Sequence, residues 1–487
     1  MIVRLFIFLS ALQLTHSLKA ICYGEPGVDL PIRYFFVQLQ DDSGVNLTRS
    51  SGALSIKAQK YEEACREHST TIDRGDGSYI ARVRPFNACS KLSIKVSIDN
   101  QVLCEFDLQN ADRSKLKQEE CICPDLPKSI DWIDHARCDV EPQLEKDLEK
   151  FPTIDFAEVL KAAIERYGAE KYSRTFSICH YAIKNNKVYR KCYGEYVGFK
   201  SFADSILLSL TRKMVLPDTQ FIMNLGDYPL SYKTKTGQSW LPIISWCGSD
   251  ETVDIVLPTY SITNSLVNGE RYINVHDSLG SDPTPWEYKD EKPIFRGRDS
   301  NRLRLQLARM SDERPDLLDA GITRYFFFKK EEHSPPRDAV SFKDFFKHRY
   351  VISVDGTVAA YRLPSLMSGD SVILKSDSQH YEHFYSRMEP YVHYIPFNGD
   401  NVEEVIKWTK EHDMNKTISS MKQFFIDHLQ PRNLYCYYAR FFEAYSNRVV
   451  DGVNLSIDGM EEVSQEGRRD CECGSRSTVA APRSDEL

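Results

Sequence analysis

The chain has 487 residues, of which 41% are hydrophobic and 27% charged, a composition typical of a globular protein with two or three domains and not of a disordered chain. Its 62 basic and 70 acidic residues give a net charge of −8, which argues against a nucleic-acid partner. Beyond residue 20, no stretch is long and apolar enough to predict a membrane span.

Both ends of the chain carry targeting features. Residues 2–14 form a short apolar run with Arg4 near its start, which predicts a secretory signal peptide over residues 1–20. A polar tail, 463–487, ends in the letters SDEL, a variant of the K-D-E-L address that a retrieval receptor binds. A buried N-terminal helix and a chance acidic ending are the alternative interpretations. The two signals together favour a protein of the endoplasmic reticulum (ER) lumen.

Cysteines and sequons agree with that compartment. Thirteen cysteines suit an oxidising lumen, and the odd number leaves at least one unpaired or bonded to another chain. The pairs Cys121/Cys123 and Cys471/Cys473 lack a matching second half of a zinc site, which favours disulfides. Three Asn-x-Ser/Thr sequons predict glycan acceptors at Asn46, Asn415 and Asn454.

Residues 21–120 have an all-β pattern. In the segment DRGDGSYIARVRP (73–85) two glycines supply turn conformations, and apolar side chains from Tyr79 onward then alternate with Arg82 and Arg84, as in a half-buried strand. The segment resembles the hallmark of filamin-type immunoglobulin-like repeats. The resemblance implies a β-sandwich used for binding or spacing, with no chemistry of its own.

Helix and strand patterns alternate farther along. A connector rich in Cys and Pro, 121–153, precedes a long segment, 154–462. In that segment, strand-like runs such as 219–225 and 350–356 are separated by amphipathic helices such as 302–312. This alternation favours parallel α/β sheets covered on both faces, and its length fits two doubly wound halves that face a cleft.

Several familiar motifs are absent from the sequence. No G-x-G-x-x-G follows a strand, and neither a P-loop nor a G-x-S-x-G elbow occurs. There is also no D-x-D, the metal-holding pair of metal-dependent sugar transferases. A nucleotide diphosphate would therefore have to be neutralised by side chains and backbone amides.

Arginines cluster in and after the segment FRGRDS (295–300), just before the helix 302–312. Gly297 allows close backbone approach, the helix start favours anions, and guanidinium groups match phosphate oxygens. The alternative is a solvated basic surface patch. The clustered arginines are Arg296, Arg298, Arg302 and Arg304.

The segment DGTVAAYR (355–362) is a second anion-site candidate. A predicted strand ends at Asp355, and small residues then lead into a predicted helix that carries Arg362. In open α/β sheets, ligands bind at the carboxyl ends of strands. A plain strand-to-helix turn is the alternative.

Asp227 is the candidate general base. It follows the strand 219–225 on a tight turn, where a carboxylate can accept a proton from a hydroxyl nucleophile. The alternative is an Asp that only forms the turn. If Asp227 is not the base, Asp254 and Asp277 are the next carboxylates to consider.

Five segments occur in a fixed order and carry a family resemblance. They are PDTQFIMNLGDYPL, ISWCGSDETVDIVLPTY, FRGRDS, DGTVAAYRLP and YEHFYSRMEPYVHYIPF. Together they resemble the protein O-glucosyltransferases of the KDEL-motif-containing type, a family related to the enzyme called Rumi and to fungal capsule-associated xylosyltransferases. The resemblance covers nearly the whole chain after the signal segment.

The resemblance implies a fold and an activity. The fold is a filamin-type repeat followed by a GT-B-like glycosyltransferase domain of two Rossmann-like halves with the donor between them. The implied enzyme is inverting and needs neither a metal nor a cofactor. It transfers glucose, or in some members xylose, from UDP-glucose or UDP-xylose to a serine of epidermal-growth-factor-like (EGF-like) repeats, such as those of Notch-type receptors.

The resemblance also assigns roles to residues. The family's catalytic base falls on Asp227, and a donor-phosphate contact falls on Arg304. Arg298 stands where Rumi-type enzymes have Ser and joins the donor-binding set. No counterpart of the family's acceptor-contacting M-F-P-S-R segment is present around residues 196–200, so the acceptor is left open. The predicted donor-binding loop consists of Thr357, Val358, Ala359, Ala360, Tyr361 and Arg362.

Two other interpretations keep the same fold. One is a lumenal chaperone or lectin that has lost catalysis, and the other is a scaffold built on the filamin-like segment. The presence of Asp227 and of both arginine-bearing loops favours an enzyme.

Overall fold

A computed structural model describes most of the chain, and its residues form two compact units, one within 18–109 and one within 126–464. The predicted signal segment before residue 18, the tail after 464, Asp277, Asn454 and the cysteines at 121, 123, 471 and 473 lie outside the described residues. The described residues are 18–24, 33–63, 65, 67–73, 77–85, 91–109, 126–135, 138, 140–168, 177–194, 198–233, 239–263, 284–450 and 455–464.

The smaller unit consists of two antiparallel sheets. The first has the order β1-β2-β5-β4, with β1 Lys19–Gly24, β2 Arg33–Gln40, β4 Glu67–Asp73 and β5 Ser78–Pro85. The second has the order β3-β6-β7, with β3 Leu54–Lys60, β6 Lys91–Ile98 and β7 Gln101–Gln109.

Alternate side chains of both sheets share one core. Tyr79, Ala81 and Val83 of β5 are buried in it together, so these three side chains share the core face as predicted. The expectation that Arg82 faces solvent is wrong, because this side chain is only 2% exposed. The polarity of a side chain does not reveal whether the second face of its sheet is also covered. A disulfide between Cys22 and Cys104 joins the two sheets.

The larger unit contains a six-stranded mixed sheet of order β13-β11-β10-β8-β9-β20. Strands β10, β11 and β13 are parallel to one another, whereas β8, β9 and β20 pair in antiparallel fashion. The strands are β8 Ile178–Lys184, β9 Lys187–Tyr193, β10 Thr219–Asn224, β11 Ile243–Ser245, β13 Ile255–Val256 and β20 Glu461–Glu462.

A second sheet, of order β15-β14-β16-β17-β19, is entirely parallel. The carboxyl ends of its strands therefore meet at one edge, where polar loops can converge. The strands are β14 Ile294–Arg298, β15 Asp319–Arg324, β16 Tyr350–Ser353, β17 Val372–Ser376 and β19 Ile395–Phe397.

Helices cover these two sheets. The predicted helix 302–312 and the predicted strands 219–225 and 350–356 are confirmed within one to three residues at their ends. Of the helices in the described part of the chain, none combines the length and apolar character that crossing a bilayer requires. The helices are α1 Leu126–His135, α2 Pro142–Leu148, α3 Phe156–Tyr167, α4 Lys200–Lys213, α5 Arg302–Glu313, α6 Phe342–Phe345, α7 Leu363–Met367, α8 Val402–Glu411, α9 Asn415–His428 and α10 Pro431–Ser446.

Helix α10 packs through its aromatic side chains on the six-stranded sheet, which is called the first sheet of the larger unit below. The rings of Phe441, Phe442 and Tyr445 lie 5.7–6.5 Å from the ring of Phe221 in β10. A disulfide from Cys436 of α10 to Cys138 fixes the helix to the chain that enters this unit. The C-terminal helix thereby holds β10, the strand that leads to Asp227.

A two-stranded antiparallel ribbon links the loops of the two sheets. Strand β12 (Gly248–Ser249) follows β11 of the first sheet, and strand β18 (His380–Tyr381) follows β17 of the second. Gly248 lies directly opposite Tyr381. A Cβ atom at Gly248 would come within 2.4–2.7 Å of the Tyr381 ring, so only glycine lets the two strands approach this closely.

We expect Gly248→Ala to lower the free energy of unfolding by about 1–3 kcal/mol, because the new methyl group overpacks against Tyr381. Denaturant unfolding measures this change. The control is Gly198→Ala, where a Cβ has nothing within 4 Å. In the double variant with Tyr381→Leu, the two losses should be less than additive. Additive losses would show that the Tyr381 ring is not the obstacle.

Candidate active site

The candidate site lies in the larger unit, where loops of the six-stranded sheet meet the carboxyl edge of the parallel sheet. Cys247, which follows β11, forms a buried apolar cluster with Val358 and Ala359, and Tyr361 packs against it. The ring of Tyr260 lies 5.3 Å from that of Tyr361, edge to face. The thiol of Cys247 also donates to the backbone carbonyl of Asp227 at 3.4 Å, so the predicted donor-binding loop lies next to the turn that carries Asp227.

Asn224, the last residue of β10, shapes that turn. Its side-chain amide donates to the carbonyl oxygen of Tyr228 at 2.7 Å and to Oγ of Ser245 at 3.0 Å. Its Oδ1 accepts the Gly226 N–H at 2.8 Å. The turn is therefore held by a neighbouring amide, and the carboxylate of Asp227 is not needed to form it.

Asp227 is half-buried and carries an unused acceptor. Its Oδ1 is shielded from solvent and has no hydrogen-bond partner among the described residues. Burial raises the pKa of Asp227 above its usual value. A carboxylate that is less well solvated and more basic than usual is suited to accept a proton from a hydroxyl group.

Asp254, the reserve candidate, has a different environment. It is 1% exposed and accepts the N–H groups of Leu230 and Ser231, each at 2.8 Å, and the hydroxyl of Ser245 at 2.7 Å. Burial raises its pKa to about 6. Since both of its oxygens accept N–H groups of the loop that follows Asp227, Asp254 supports that loop.

Two arginines flank Gly297 at the end of β14. A Cβ atom built at Gly297 would lie 3.2 Å from Nη1 of Arg304 and 3.4 Å from Nη2 of Arg362. Both guanidiniums also lie over the ring of Phe295, at 5.6 and 5.8 Å from its centroid. Glycine at this position therefore leaves room for two positive charges on one side of the strand.

Arg304 ties two loops together. It is 5% exposed, and its Nη1 donates to the carbonyl of Arg298 at 3.1 Å and to Oγ of Ser300 at 3.2 Å. Its Nη2 donates to the carbonyl of Val354 at 2.8 Å, while Nε has no partner among the described residues. Burial and the charge of Arg362 lower the pKa of Arg304 to about 9, which leaves it charged at neutral pH.

Arg362 is more available than Arg304. It is partly exposed, directly precedes α7, and its Nη1 donates to the carbonyl of Arg296. Burial lowers its pKa to about 10. In the part of the chain that is described, neither Arg362 nor Arg304 forms an ion pair, which leaves their charges open to an anionic ligand.

The carboxylates closest to these arginines are engaged elsewhere. Asp299 accepts three backbone N–H groups, from Phe326, Phe327 and Phe328, at 2.7–2.9 Å. Burial acts to raise the pKa of Asp299, but these hydrogen bonds outweigh it and the pKa is lowered. Asp355 accepts the Ser378 hydroxyl.

The other members of the predicted arginine cluster lie apart. Arg296 forms an ion pair with Asp319 at 2.8 Å and also donates to that residue's carbonyl, so it is structural. Arg298 is exposed, with its guanidinium 5.0 Å from the ring of Phe326. Arg302 is exposed on the first turn of α5. Of the four clustered arginines, the structure thus buries only Arg304 beside Gly297, whereas Arg296 is in a salt bridge and the other two are exposed.

In the predicted donor-binding loop the small residues are buried. Val358, Ala359 and Ala360 are all 5% exposed or less, whereas Thr357 is partly exposed. A Cβ atom at Gly356 would lie 3.4 Å from Nη2 of Arg304, so the loop runs close to the arginine pair.

Sequence reasoning missed further polar residues at the same edge. The segment YEHFYSRMEPYVHYIPF was recognised, but no residue within it was assigned a role. The structure places Glu382 at 0% exposure next to the ribbon, and a cavity of about 360 Å³ lies beside it. The cavity is lined by Lys375, Ser376, Asp377, Ser378, His380, Tyr381, Tyr385 and Tyr394.

Two of the three predicted glycan acceptors lie in the described residues. Asn46 is exposed in the loop after β2, and Asn415 is exposed at the start of α9. Among the described residues, no group of three or more His, Cys, Asp or Glu side chains is placed to hold a metal ion. Cys247 is a buried free thiol, as the odd number of cysteines allows.

Comparison with known proteins identifies the class to which this site belongs. Residues 136–486 match the model of Glycosyl transferase family 90, and the chain belongs to that family. It is 42% identical to protein O-glucosyltransferase 3 of Homo sapiens, over 92% of this chain and 90% of the relative. It is 40% identical to protein O-glucosyltransferase 2 of Danio rerio, again over 92% and 90%. It is 24% identical to O-glucosyltransferase rumi of Drosophila melanogaster, over 66% and 79%. These matches confirm the family resemblance seen in the sequence.

We expect Asp254→Asn to lower the free energy of unfolding by about 1–3 kcal/mol, because an amide supplies one acceptor oxygen where two backbone N–H groups and a hydroxyl now donate. Chemical denaturation measures the loss. The matched control is Asp250→Asn, an exposed position four residues earlier, which should change stability by at most about 0.5 kcal/mol. Equal stability of the two variants would contradict the supporting role of Asp254.

Proposed function

We propose that this chain is an inverting protein O-glucosyltransferase that transfers glucose, or xylose, from the UDP-sugar to a serine of EGF-like repeats. One observation carries the proposal: the turn of Asp227, whose Oδ1 is unpaired among the described residues, contacts Cys247, and Cys247 packs on the loop that ends in Arg362, next to Arg304. Within the described part of the chain, neither arginine has a counter-ion. Transfer of a sugar from a nucleotide to a hydroxyl group needs both a base and stabilisation of the departing diphosphate. The names of the relatives agree with this activity.

The proposed reaction proceeds by one displacement. Asp227 takes the proton of the serine hydroxyl as its oxygen attacks the anomeric carbon of the donor. The bond from that carbon to the UDP oxygen breaks on the opposite face, so an α-linked donor yields a β-glucoside. Arg362 and Arg304 stabilise the negative charge that develops on UDP, together with backbone of the loop 357–361.

Arg362 is the better direct phosphate ligand of the two. Of its N–H groups, one has a carbonyl partner in the described structure, whereas Arg304 already donates three hydrogen bonds. Arg304 therefore contributes its charge, its Nε–H group and the position of the loops on both sides. For Arg298, whose exposed guanidinium lies over the ring of Phe326, we propose a contact with the donor at the rim of the site.

We propose that the fold of the larger unit is GT-B-like. Two features support this proposal: the parallel sheet, and the loops of the six-stranded sheet that face it. Three strands of the six-stranded sheet depart from the GT-B pattern, because they pair in antiparallel fashion. For the smaller unit we propose a filamin-type repeat, since its two antiparallel sheets share a core. The proposed domain limits remain 21–120 and 154–462, with the connector 121–153 between them.

The proposed compartment is the ER lumen. The disulfides Cys22–Cys104, Cys138–Cys436 and Cys179–Cys192 fit an oxidising compartment, and the SDEL ending fits a retrieval receptor as partner. We propose that no divalent metal or other cofactor is needed, because the arginine pair supplies positive charge at the diphosphate. Activity that collapses in chelator and returns with manganese would contradict this.

The direct test is a transfer assay. Purified chain is incubated in chelator with a folded EGF-like repeat and either UDP-glucose or UDP-xylose, and the repeat is analysed by mass spectrometry. We expect one sugar to be added to a serine, with release of UDP. Binding of UDP and of the repeat without transfer would instead support a non-catalytic lectin or chaperone.

We expect Asp227→Asn to lower kcat by about 10²–10⁴-fold, since Asn fits the same turn but cannot take a proton. UDP affinity should stay unchanged, because the proton moves only as the serine attacks. The melting temperature should not fall, because Asn224 holds the turn. Turnover, UDP affinity and melting temperature are measured on one sample, with Asp250→Asn as control. A folded, UDP-binding variant with normal turnover would rule out Asp227 as the base.

We expect Arg362→Ala and Arg304→Ala each to lower kcat/KM for the donor. Loss of a charge-assisted phosphate contact costs about 1.5–3 kcal/mol, or roughly 10- to 150-fold. Only Arg304→Ala should also lower the free energy of unfolding markedly, because its guanidinium joins two loops. The control is Arg302→Ala, an exposed arginine on the same helix as Arg304. If Arg302→Ala has the same effect as Arg362→Ala, the arginine pair has no specific role.

A further inference from the structure

Two phenylalanine side chains are exposed next to each other in the loop that follows β15. Phe326 is 56% exposed and Phe327 is 63% exposed. Surface loops are usually polar, and adjacent exposed aromatic side chains commonly mark a surface that binds another molecule. The loop 326–328, which is called the aromatic loop below, is therefore a candidate interaction surface.

The backbone of the aromatic loop is fixed, although two of its side chains are exposed. The carboxylate of Asp299, which is 0% exposed, accepts the N–H groups of all three residues of the loop at 2.7–2.9 Å. The third ring, that of Phe328, lies edge to face with the ring of His333 at 5.7 Å. A fixed backbone presents the exposed rings to a partner with less loss of entropy on binding than a flexible loop would suffer.

Two arginines add positive charge to the aromatic loop. The guanidiniums of Arg298 and Arg324 lie 5.0 and 5.7 Å from the ring centroid of Phe326. Both arginines are exposed, and neither forms an ion pair within the part of the chain that the structure describes. On a chain with a net charge of −8, such a basic and aromatic surface fits a partner that presents an apolar side chain beside a carboxylate.

The aromatic loop begins at the edge of the parallel sheet where the candidate active site lies. Strands β14 and β15 end there, at Arg298 and Arg324. The backbone carbonyl of Arg298 accepts a hydrogen bond from Nη1 of Arg304 at 3.1 Å. Burial raises the pKa of Tyr260, and the charges of Asp227 and Arg298 also act on this pKa, which places both charges near the Tyr260 ring. A folded acceptor covers about 800 Å² of its partner, so one whose serine reaches Asp227 also extends toward the aromatic loop.

We propose that the aromatic loop is a docking surface for the acceptor protein, where Phe326 and Phe327 receive an apolar side chain of the EGF-like repeat and Arg324 pairs with a neighbouring carboxylate. The repeat is then held by contacts outside the reacting centre while its serine lies toward Asp227. This surface supplies an acceptor contact in a chain whose residues 196–200 lack the family's acceptor-contacting segment. The inference rests on the proposed function, because it takes the partner to be the acceptor of that reaction.

The test compares the full chain with the double variant Phe326→Ala/Phe327→Ala. The control is Tyr288→Ala, because Tyr288 is 78% exposed and precedes β14, at the opposite edge of the same sheet. Transfer to a folded EGF-like repeat is measured at saturating UDP-glucose. We expect the KM for the repeat to rise about 10- to 100-fold in the double variant and less than about twofold in the control. In both, kcat and UDP affinity should stay unchanged, since docking contacts bind ground state and transition state alike.

The charge of Arg324 is tested with Arg324→Ala at low and high salt. We expect the KM for the repeat to rise roughly two- to fivefold at low salt and to match that of the wild type at high salt, because exposed ion pairs are weak and screened. The control is Arg309→Ala, an exposed arginine on α5. A ratio of KM values that does not change with salt would contradict the pairing of Arg324 with a carboxylate.

The remaining outcomes separate this inference from the proposed function. Normal transfer by the wild type, with an unchanged KM in the double variant, would overturn the inference alone. With KM unchanged, loss of a wild-type dimer in the double variant would assign the aromatic loop to a second copy of the chain, and loss of binding to phosphatidylserine vesicles would assign it to a membrane surface.

A wild type that binds the repeat without modifying it would overturn the proposed function but not the inference. The affinity for the repeat then takes the place of KM, and the double variant should lower that affinity by the same factor. A wild type that neither binds nor modifies the repeat would overturn both.

Discussion

In the larger unit, two positive charges lie next to each other without a counter-ion among the described residues. Arg304 and Arg362 flank Gly297, and burial makes each charge costly. The nearest carboxylates, Asp299 and Asp355, accept other donors. Backbone carbonyls therefore hold the arginine pair in place, and its charge is left for a ligand. A nucleotide diphosphate is the anion that a glycosyl transferase of this family would bring there.

The segments that resemble the family place the two arginines and the residues around them. The segment around Gly297 provides carbonyls and space for the two guanidiniums, and the loop 355–362 brings Arg362 with small residues that fit against Cys247. The ribbon at Gly248 then fixes the loops of the first sheet, including the turn of Asp227, beside that edge. Under the proposed function, each of these segments contributes one wall of the donor-binding cleft.

Local pattern predicted the parts of the structure that local physics decides. The helix 302–312 and the strand before Asp227 have clear apolar periodicity, and both are observed. The different roles of Arg296 and Arg304 could not be predicted, because they depend on distant partners: Asp319 pairs with Arg296, and the carbonyl of Val354 binds Arg304. Glu382 has no local signal in the sequence, since its complete burial is a property of the folded structure alone.

The most direct test of the arginine pair is a crystal structure of the chain with UDP, grown in the presence of a chelator. We expect diphosphate oxygens to accept hydrogen bonds from the guanidinium of Arg362 and to lie beside that of Arg304. The phosphate oxygen that carries the sugar in the donor should then lie on the side that faces Asp227. UDP bound elsewhere, or bound through a metal ion with both arginines keeping only their present partners, would contradict the account.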